Sequence, residues 1–333
     1  MRIWLALLCV AGLAWGAERY FEPGFETVTE FAFQEALGEV VPRSIVLDPV
    51  RGAVVSDEAG HRLLSLAWGE SQWRVLAGFE GYGDRNGIVA TARFALPQGV
   101  AIDTAGDLYV ADAGNQKIRK MIFDGNVSTV AGSGEKGHQN GPAASARFDG
   151  PSSLIGLLGG GIAVADTFNH KIRRIDASGE VSDFAGGEMA FIDGAREAAR
   201  FAGPADLALD AAGNLYVADT FNHAVRKVSL DGWVQTLAGA GVAGYQDGKK
   251  GSFNYPLGLA WHPAGFLLVA DSRNHALRVV AADGSVRTAI GAKKPGEKSP
   301  LKEPTAVAVD SQGRIFLLDS GNRRLLLVRY VPN

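Results

Sequence analysis

From Pro42 onward, short apolar runs alternate with turn residues, and no stretch sustains a helical period. The segment "PADLALDAAGNLYVADTFNHAVRKVSLDGWVQTLAG", from Pro204 to Gly239, shows the pattern at its most regular. It predicts strands at "LALD", "LYVAD", "VRKVS" and "VQTLAG", because alternating and β-branched apolar residues suit a pleated, half-buried surface. The breaks "AAGN", "TFNH" and "LDGW" are rich in Gly, Asn and Asp. Such residues accept positive φ or bond the local backbone, so they predict turns.

The unit recurs. Pro97–Gly132 reads "PQGVAIDTAGDLYVADAGNQKIRKMIFDGNVSTVAG", and Pro151–Gly186 and Pro256–Gly291 follow with modest drift. A degenerate copy opens at Pro42 and a truncated one at Pro304. One Asp marks each unit, at Asp57, Asp112, Asp166, Asp219, Asp271 and Asp319, a period of roughly 50 residues. Six units of four antiparallel strands predict an all-β fold, a six-bladed β-propeller. Its blades fall near 42–78, 97–132, 151–186, 204–239, 256–291 and 304–331. The last unit holds three strands, and "ETVTEFAF", residues 26–33, has the form of the missing fourth. This N-terminal strand is expected to close the last blade and remove an exposed edge.

"VADTFNHKIRR", "VADTFNHAVRK", "VADSRNHALRV" and "VADAGNQKIRK" resemble NHL repeats, named for an Asn-His-Leu signature. The resemblance runs from Pro42 to Tyr330 and takes in the closing strand; the third signature position departs, being Lys or Ala. It implies a propeller and leaves function open, since propellers with these repeats serve as protein-binding, RNA-binding, sensor and enzymatic domains.

Arg2, the apolar run from Ile3 to Leu13 and the small-x-small triplet Ala14-Trp15-Gly16 have the layout of a cleaved signal peptide over residues 1–16. The run is too short to span a membrane. Residues 17–333 are then a single exported propeller, secreted or periplasmic, and expected to be monomeric. Cys9, the one Cys, lies inside the leader. A mature chain without Cys has no disulfide, thiolate zinc site or Cys nucleophile. The formal charge of −3 offers no basic face for nucleic acid.

Candidate chemistry has to be weighed against the repeat. His170, His223 and His275 hold one place in three successive units. Blades stand roughly 60° apart, so equivalent atoms lie on the order of 10 Å apart. A metal needs His nitrogens within about 2.0–2.1 Å, so these three cannot share an ion and are expected to fix turns. Arg119, Arg173, Arg226 and Arg278 recur on third strands and read as structural, while Leu64 and Leu326 hold that place in the two less regular units. "GSGEKG" and "GAGVAG" match a nucleotide-binding spacing, but turn sequences follow them, not the helix a pyrophosphate requires.

The long loops leading from each fourth strand to the next blade share a face with the turns between second and third strands, and long loops on rigid scaffolds carry binding. His138 and Arg85 lie in such loops. The residues after each Pro should ring the channel mouth on that face: Arg43-Ser44, Gln98-Gly99, Ser152-Ser153, Ala205-Asp206, Leu257-Gly258 and Thr305-Ala306. The binding candidates are therefore Arg43, Gln98, Ser152, Asp206 and Thr305, with Phe168, Phe221 and Arg273 in the turns. The two Phe residues suit protein or glycan contact, or packing beneath the long loops. Among propellers of this kind, amidating lyases hold zinc with His just after such Pro positions, and lactonase-type hydrolases hold a divalent ion with several carboxylate and Asn groups. No mouth position here is His, and Asp206 is the one carboxylate. The expected function is non-catalytic binding or sensing of a protein, peptide or glycan, without a cofactor. The alternative is a metal-dependent hydrolase or lyase with Asp206 as ligand or base and a divalent cation such as calcium, although a hard cation favours more anionic oxygen than this ring offers.

Overall fold

The computed structural model describes residues 24–292 and 297–331. The expected leader lies outside the described residues. Six antiparallel sheets stand around a channel. Each innermost strand opens on the repeated Pro, at Pro42–Asp48, Pro97–Ile102, Pro151–Gly156, Pro204–Leu209, Pro256–His262 and Pro304–Val309. The fourth blade is typical, continuing through Leu215–Asp219 and Ala224–Val228 to an outer strand Val234–Ala238. The register slips just after each Pro, because Pro lacks the N–H that would continue the ladder.

The sixth blade is assembled from both ends of the ring. Phe25–Ala32 pairs antiparallel with Arg324–Tyr330, outside Arg314–Asp319 and Pro304–Val309. Phe25 is buried, with Tyr330 at 5.0 Å and Phe266 at 6.5 Å between ring centres. Phe33 stacks on Trp73 at 4.6 Å and carries the chain into the first blade. Apolar side chains do not form one central core. They form six clusters, each shared by neighbouring blades. One joins Leu277 and Val279 of the fifth blade to Val307 and Ile315 of the sixth. A blade therefore gains its buried area from its neighbours, and the ring stands as a unit.

Outer edges are guarded unevenly. Gly87–Ile88, Gly141–Pro142 and Gly248–Lys249 pair as short fifth strands on the second, third and fifth blades, and Gly194 bridges Val234 of the fourth. These caps come from the long loops, so the segments that crowd the loop-bearing face also protect the sheets.

Candidate functional site

The repeated heptad forms a turn in which nearly every polar group is engaged. Asp219 Oδ1 accepts the Ala202 N–H at 2.7 Å, and Oδ2 accepts Asn222 Nδ2 at 2.9 Å and Arg226 Nη1 at 2.6 Å. Arg226 is fully buried, donates Nη2 to Asp193 Oδ1 at 2.6 Å, and lies 5.2 Å over the Phe201 ring. Asp112, Asp166 and Asp271 repeat the arrangement with Arg119, Arg173 and Arg278. A buried carboxylate and guanidinium are tolerable here because both are paired and hydrogen-bonded. Where Leu64 and Leu326 replace the Arg, Arg62 and Arg324, two places earlier, reach Asp57 and Asp319 with Nε at 2.8 Å.

The His residues do more than fix turns. His170, His223 and His275 adopt left-handed backbone and reach into the following blade. Their Nδ1 atoms accept the N–H of Gly203, Tyr255 and Glu303 at 3.1, 3.1 and 3.0 Å. His61 does the same for Leu96 at 3.2 Å, and Gln116 substitutes its Oε1 for Gly150 at 2.7 Å. Burial holds the His170 and His223 imidazoles below their ordinary pKa, consistent with the neutral form that acceptance at Nδ1 requires.

Phe168 and Phe221 lie on the loop-bearing face, each against the glycine that precedes the Pro of its own blade. A Cβ on Gly150 or Gly203 would meet the ring at 2.5 Å. In the second and sixth blades the sizes reverse, with Leu96 and Glu303 before the Pro and Gly114 and Gly321 in the turn. In the fifth blade the Arg273 guanidinium lies 4.3 Å over Tyr255. Packing thus sets these positions, yet Phe168 remains 56% exposed and Phe221 38%.

The channel mouth gathers Arg43, Gln98, Ser152, Asp206 and Thr305 around a cavity of about 50 Å³. Bonds within and between blades occupy most of their polar atoms. Arg43 Nε and Gln98 Nε2 donate to Glu58 at 2.5 and 2.9 Å. Ser152 Oγ donates to Ala205 O at 2.8 Å, Thr305 Oγ1 to Pro42 O at 2.9 Å and Thr220 Oγ1 to Pro256 O at 2.6 Å. Asp206 accepts the Ser153 hydroxyl at 2.6 Å on Oδ1 and the Leu259 N–H at 2.7 Å on Oδ2, tying the third, fourth and fifth blades. It has no cation partner, and burial pushes its carboxyl up to about 6. Gly99 and Gly258 hold the equivalent place where backbones approach; a Cβ there would sit 2.7 Å from Ser153 Cα and 2.6 Å from Ala306 Cα. Among the described residues no three His, Cys, Asp or Glu converge in a metal-holding group.

A second concavity lies at the rim, beside the third blade. Its volume is about 640 Å³, and Phe168, His138, Asp183, Glu188, Glu197 and Arg200 are among its lining residues. His138 Nε2 is 2.8 Å from Asp183 Oδ1. Asp183 also pairs with Lys171 and lies 3.0 Å from Arg173 Nε. Burial pushes the Asp183 carboxyl up, but the bonds from His138 and Lys171 outweigh it and hold the group below its usual value. Sequence reasoning named Phe168 and the His138 loop but missed the acidic wall. A signal existed, because Asp183 stands where three sister units have Thr129, Thr236 and Thr288.

The architecture, with the buried Asp–Asn–Arg turn in successive blades, defines the chain as a six-bladed β-propeller. The NHL repeat model matches residues 94–121, 201–228 and 253–280. NHL repeat-containing protein 2 from Bos taurus is 29% identical over 85% of this chain, which covers 46% of that relative. The chain thus spans just under half the length of that relative. Among solved structures, a gluconolactonase from Xanthomonas campestris aligns with a TM-score of 0.61 at 18% identity, over 94% of this chain and 99% of that one. An auxiliary nutrient binding protein from Bacteroides thetaiotaomicron aligns with a TM-score of 0.66 at 10% identity, over 92% and 76%. At these identities the likeness is one of fold. No helix among the described residues is long and apolar enough to cross a membrane.

Proposed function

We infer that the protein is an exported, non-catalytic binding module that takes a protein, peptide or glycan ligand on its loop-bearing face. The observation that carries this reading is the state of the channel mouth. Its cavity of about 50 Å³ is far below the roughly 300–1,000 Å³ of ligand sites, and both oxygens of its one carboxylate already tie blades together. The larger open volume lies instead at the rim, with the exposed Phe168, Glu188 and Glu197 among its lining.

A second reading, a metal-dependent hydrolase or lyase at the mouth, draws on Asp206, whose proton affinity is raised toward neutrality, as general acid–base work favours. Elemental analysis of the purified protein and of Asp206→Ala separates the two. The binding reading expects no stoichiometric divalent ion that depends on Asp206. One such ion, bound by the wild type and lost in the variant, overturns it.

A further inference from the structure

The rim groove differs from its sister positions in ways the architecture does not demand. The place of His138 is held by Asp84, Phe191 and Tyr245 in other blades, and that of Asp183 by Thr. In the second blade Asp84 pairs with Lys117, so one carboxylate beside that Lys suffices for the fold. The third blade supplies its carboxylate from Asp183, which leaves position 138 to an imidazole. Asp183 orients that imidazole through Nε2.

The charges in the groove are interleaved. Asp183 is offset by Lys171, and the exposed Glu188 and Glu197 share the wall with Arg200. A ligand dense in either sign meets like charge at some part of this wall. An extended peptide finds little edge to join, because Gly141–Pro142 pairs with Glu180 and Val181 of the outer strand Glu180–Gly186 and the Gly186 N–H is bonded to Arg196 O. Phe168 has one side against Gly150, where a Cβ would approach within 2.5 Å, and Lys136 Nζ at 5.8 Å from its ring centre. More than half of its surface is open. An aromatic face carries negative quadrupole density and attracts weakly positive C–H groups. Carboxylates, guanidinium and imidazole make charge-assisted bonds with hydroxyls.

We propose that this groove is a binding site for a neutral oligosaccharide, with a sugar ring stacked on Phe168 and its hydroxyls bonded to Glu188, Glu197, Arg200 and His138. The assignment rests on the binding-module reading and deepens it. Its volume of about 640 Å³ suits a short saccharide segment.

The test is calorimetric titration of the full chain with neutral hexasaccharides of glucose, xylose, mannose and N-acetylglucosamine, alongside oligolysine and oligogalacturonate as charged probes. One neutral saccharide is expected to bind. Phe168→Ala should weaken it about tenfold or more, and Glu197→Gln several-fold. Phe168→Tyr should retain binding, as should Gln98→Ala at the mouth. Thermal melts of each variant separate lost binding from lost folding, and a melt unchanged by Phe168→Ala is expected to accompany the lost affinity. Failure of all four saccharides to bind overturns the proposal, as does binding that survives Phe168→Ala. If a charged probe binds instead and requires Phe168, the saccharide assignment falls while the binding-module reading stands. A saccharide lost in Gln98→Ala but kept in Phe168→Ala overturns the groove and moves the site to the mouth.

Discussion

The channel mouth and the rim groove are built from the same repeat and have opposite character. At the mouth, Gln98, Ser152, Asp206 and Thr305 direct polar atoms at neighbouring blades, and Arg43 pairs with Glu58 of its own blade. At the rim, Phe168, Glu188, Glu197 and Arg200 remain accessible in a far larger volume. The mouth is where six blades meet, so its residues answer to closure of the ring. The groove is where one blade departs from its sisters. In a symmetric molecule, a polar residue near the axis is therefore weaker evidence of function than a departure from the repeat away from it.

The contrast yields graded expectations. Removing residues through Phe33 takes away the outer strand of the sixth blade together with Phe25 and exposes Tyr330 and Phe266. The whole ring should lose its cooperative melt, read by circular dichroism, and a shortened chain that melts like the full one would refute the closure argument. Asp206→Ala leaves the Ser153 hydroxyl and the Leu259 N–H without their acceptor. Each orphan costs about 1–3 kcal/mol, so urea unfolding should show a clear loss while oligosaccharide affinity at the rim stays put. A stable variant with altered ligand binding would reverse the roles of the two regions.

Acid should act through the His staples. In the unfolded chain these imidazoles take a proton near 6.5, whereas His170 and His223 in the fold resist it until lower pH. Their contribution is fully present above about 6.5 and is lost as pH falls below that value. The double variant His170→Gln/His223→Gln copies Gln116 and should flatten the decline in melting temperature between pH 7 and 5. An unchanged slope would show that the staples do not set it. The smallest effect concerns Glu303, an exposed residue before Pro304 with φ of 47°. Glu303→Gly should relieve left-handed strain and be neutral or stabilising, by up to about 1 kcal/mol; a marked loss in urea unfolding would show that its side chain has work beyond the turn.

The fold was legible because Asp57 to Asp319 recur at a steady period and "ETVTEFAF" completes the truncated unit. The residues at the mouth were legible for the same reason, since each follows a repeated Pro. Their engagement was not, because Asp206 bonds across blades to Ser153 and Leu259, partners set by topology and not by sequence spacing. Arg62 and Arg324 escaped notice because a shift of two places along a strand keeps the side chain on the same face while breaking the alignment. The pairing of Phe168 with Gly150 was written in the sequence as a reciprocal exchange of large and small residues. The groove was hidden because much of its wall, including Glu188, Glu197 and Arg200, comes from a loop where the period lapses, and His138 and Asp183 alone carry the change in register with the repeat.

Closure by the N-terminal strand also sets an order of events during synthesis. Phe25–Ala32 leaves the ribosome first among the described strands, and its partner Arg324–Tyr330 follows roughly 300 residues later. Until then the early strand has no edge to join, and the first and fifth blades each lack one neighbour. Bringing such distant segments together adds little to the equilibrium cost, since loop entropy grows only logarithmically. It weighs on time, because pairing of high sequence separation is slow and leaves unpaired edges open to aggregation. The half-made ring is the interval in which open edges are most exposed to aggregation, and pairing of Phe25–Ala32 with Arg324–Tyr330 ends it.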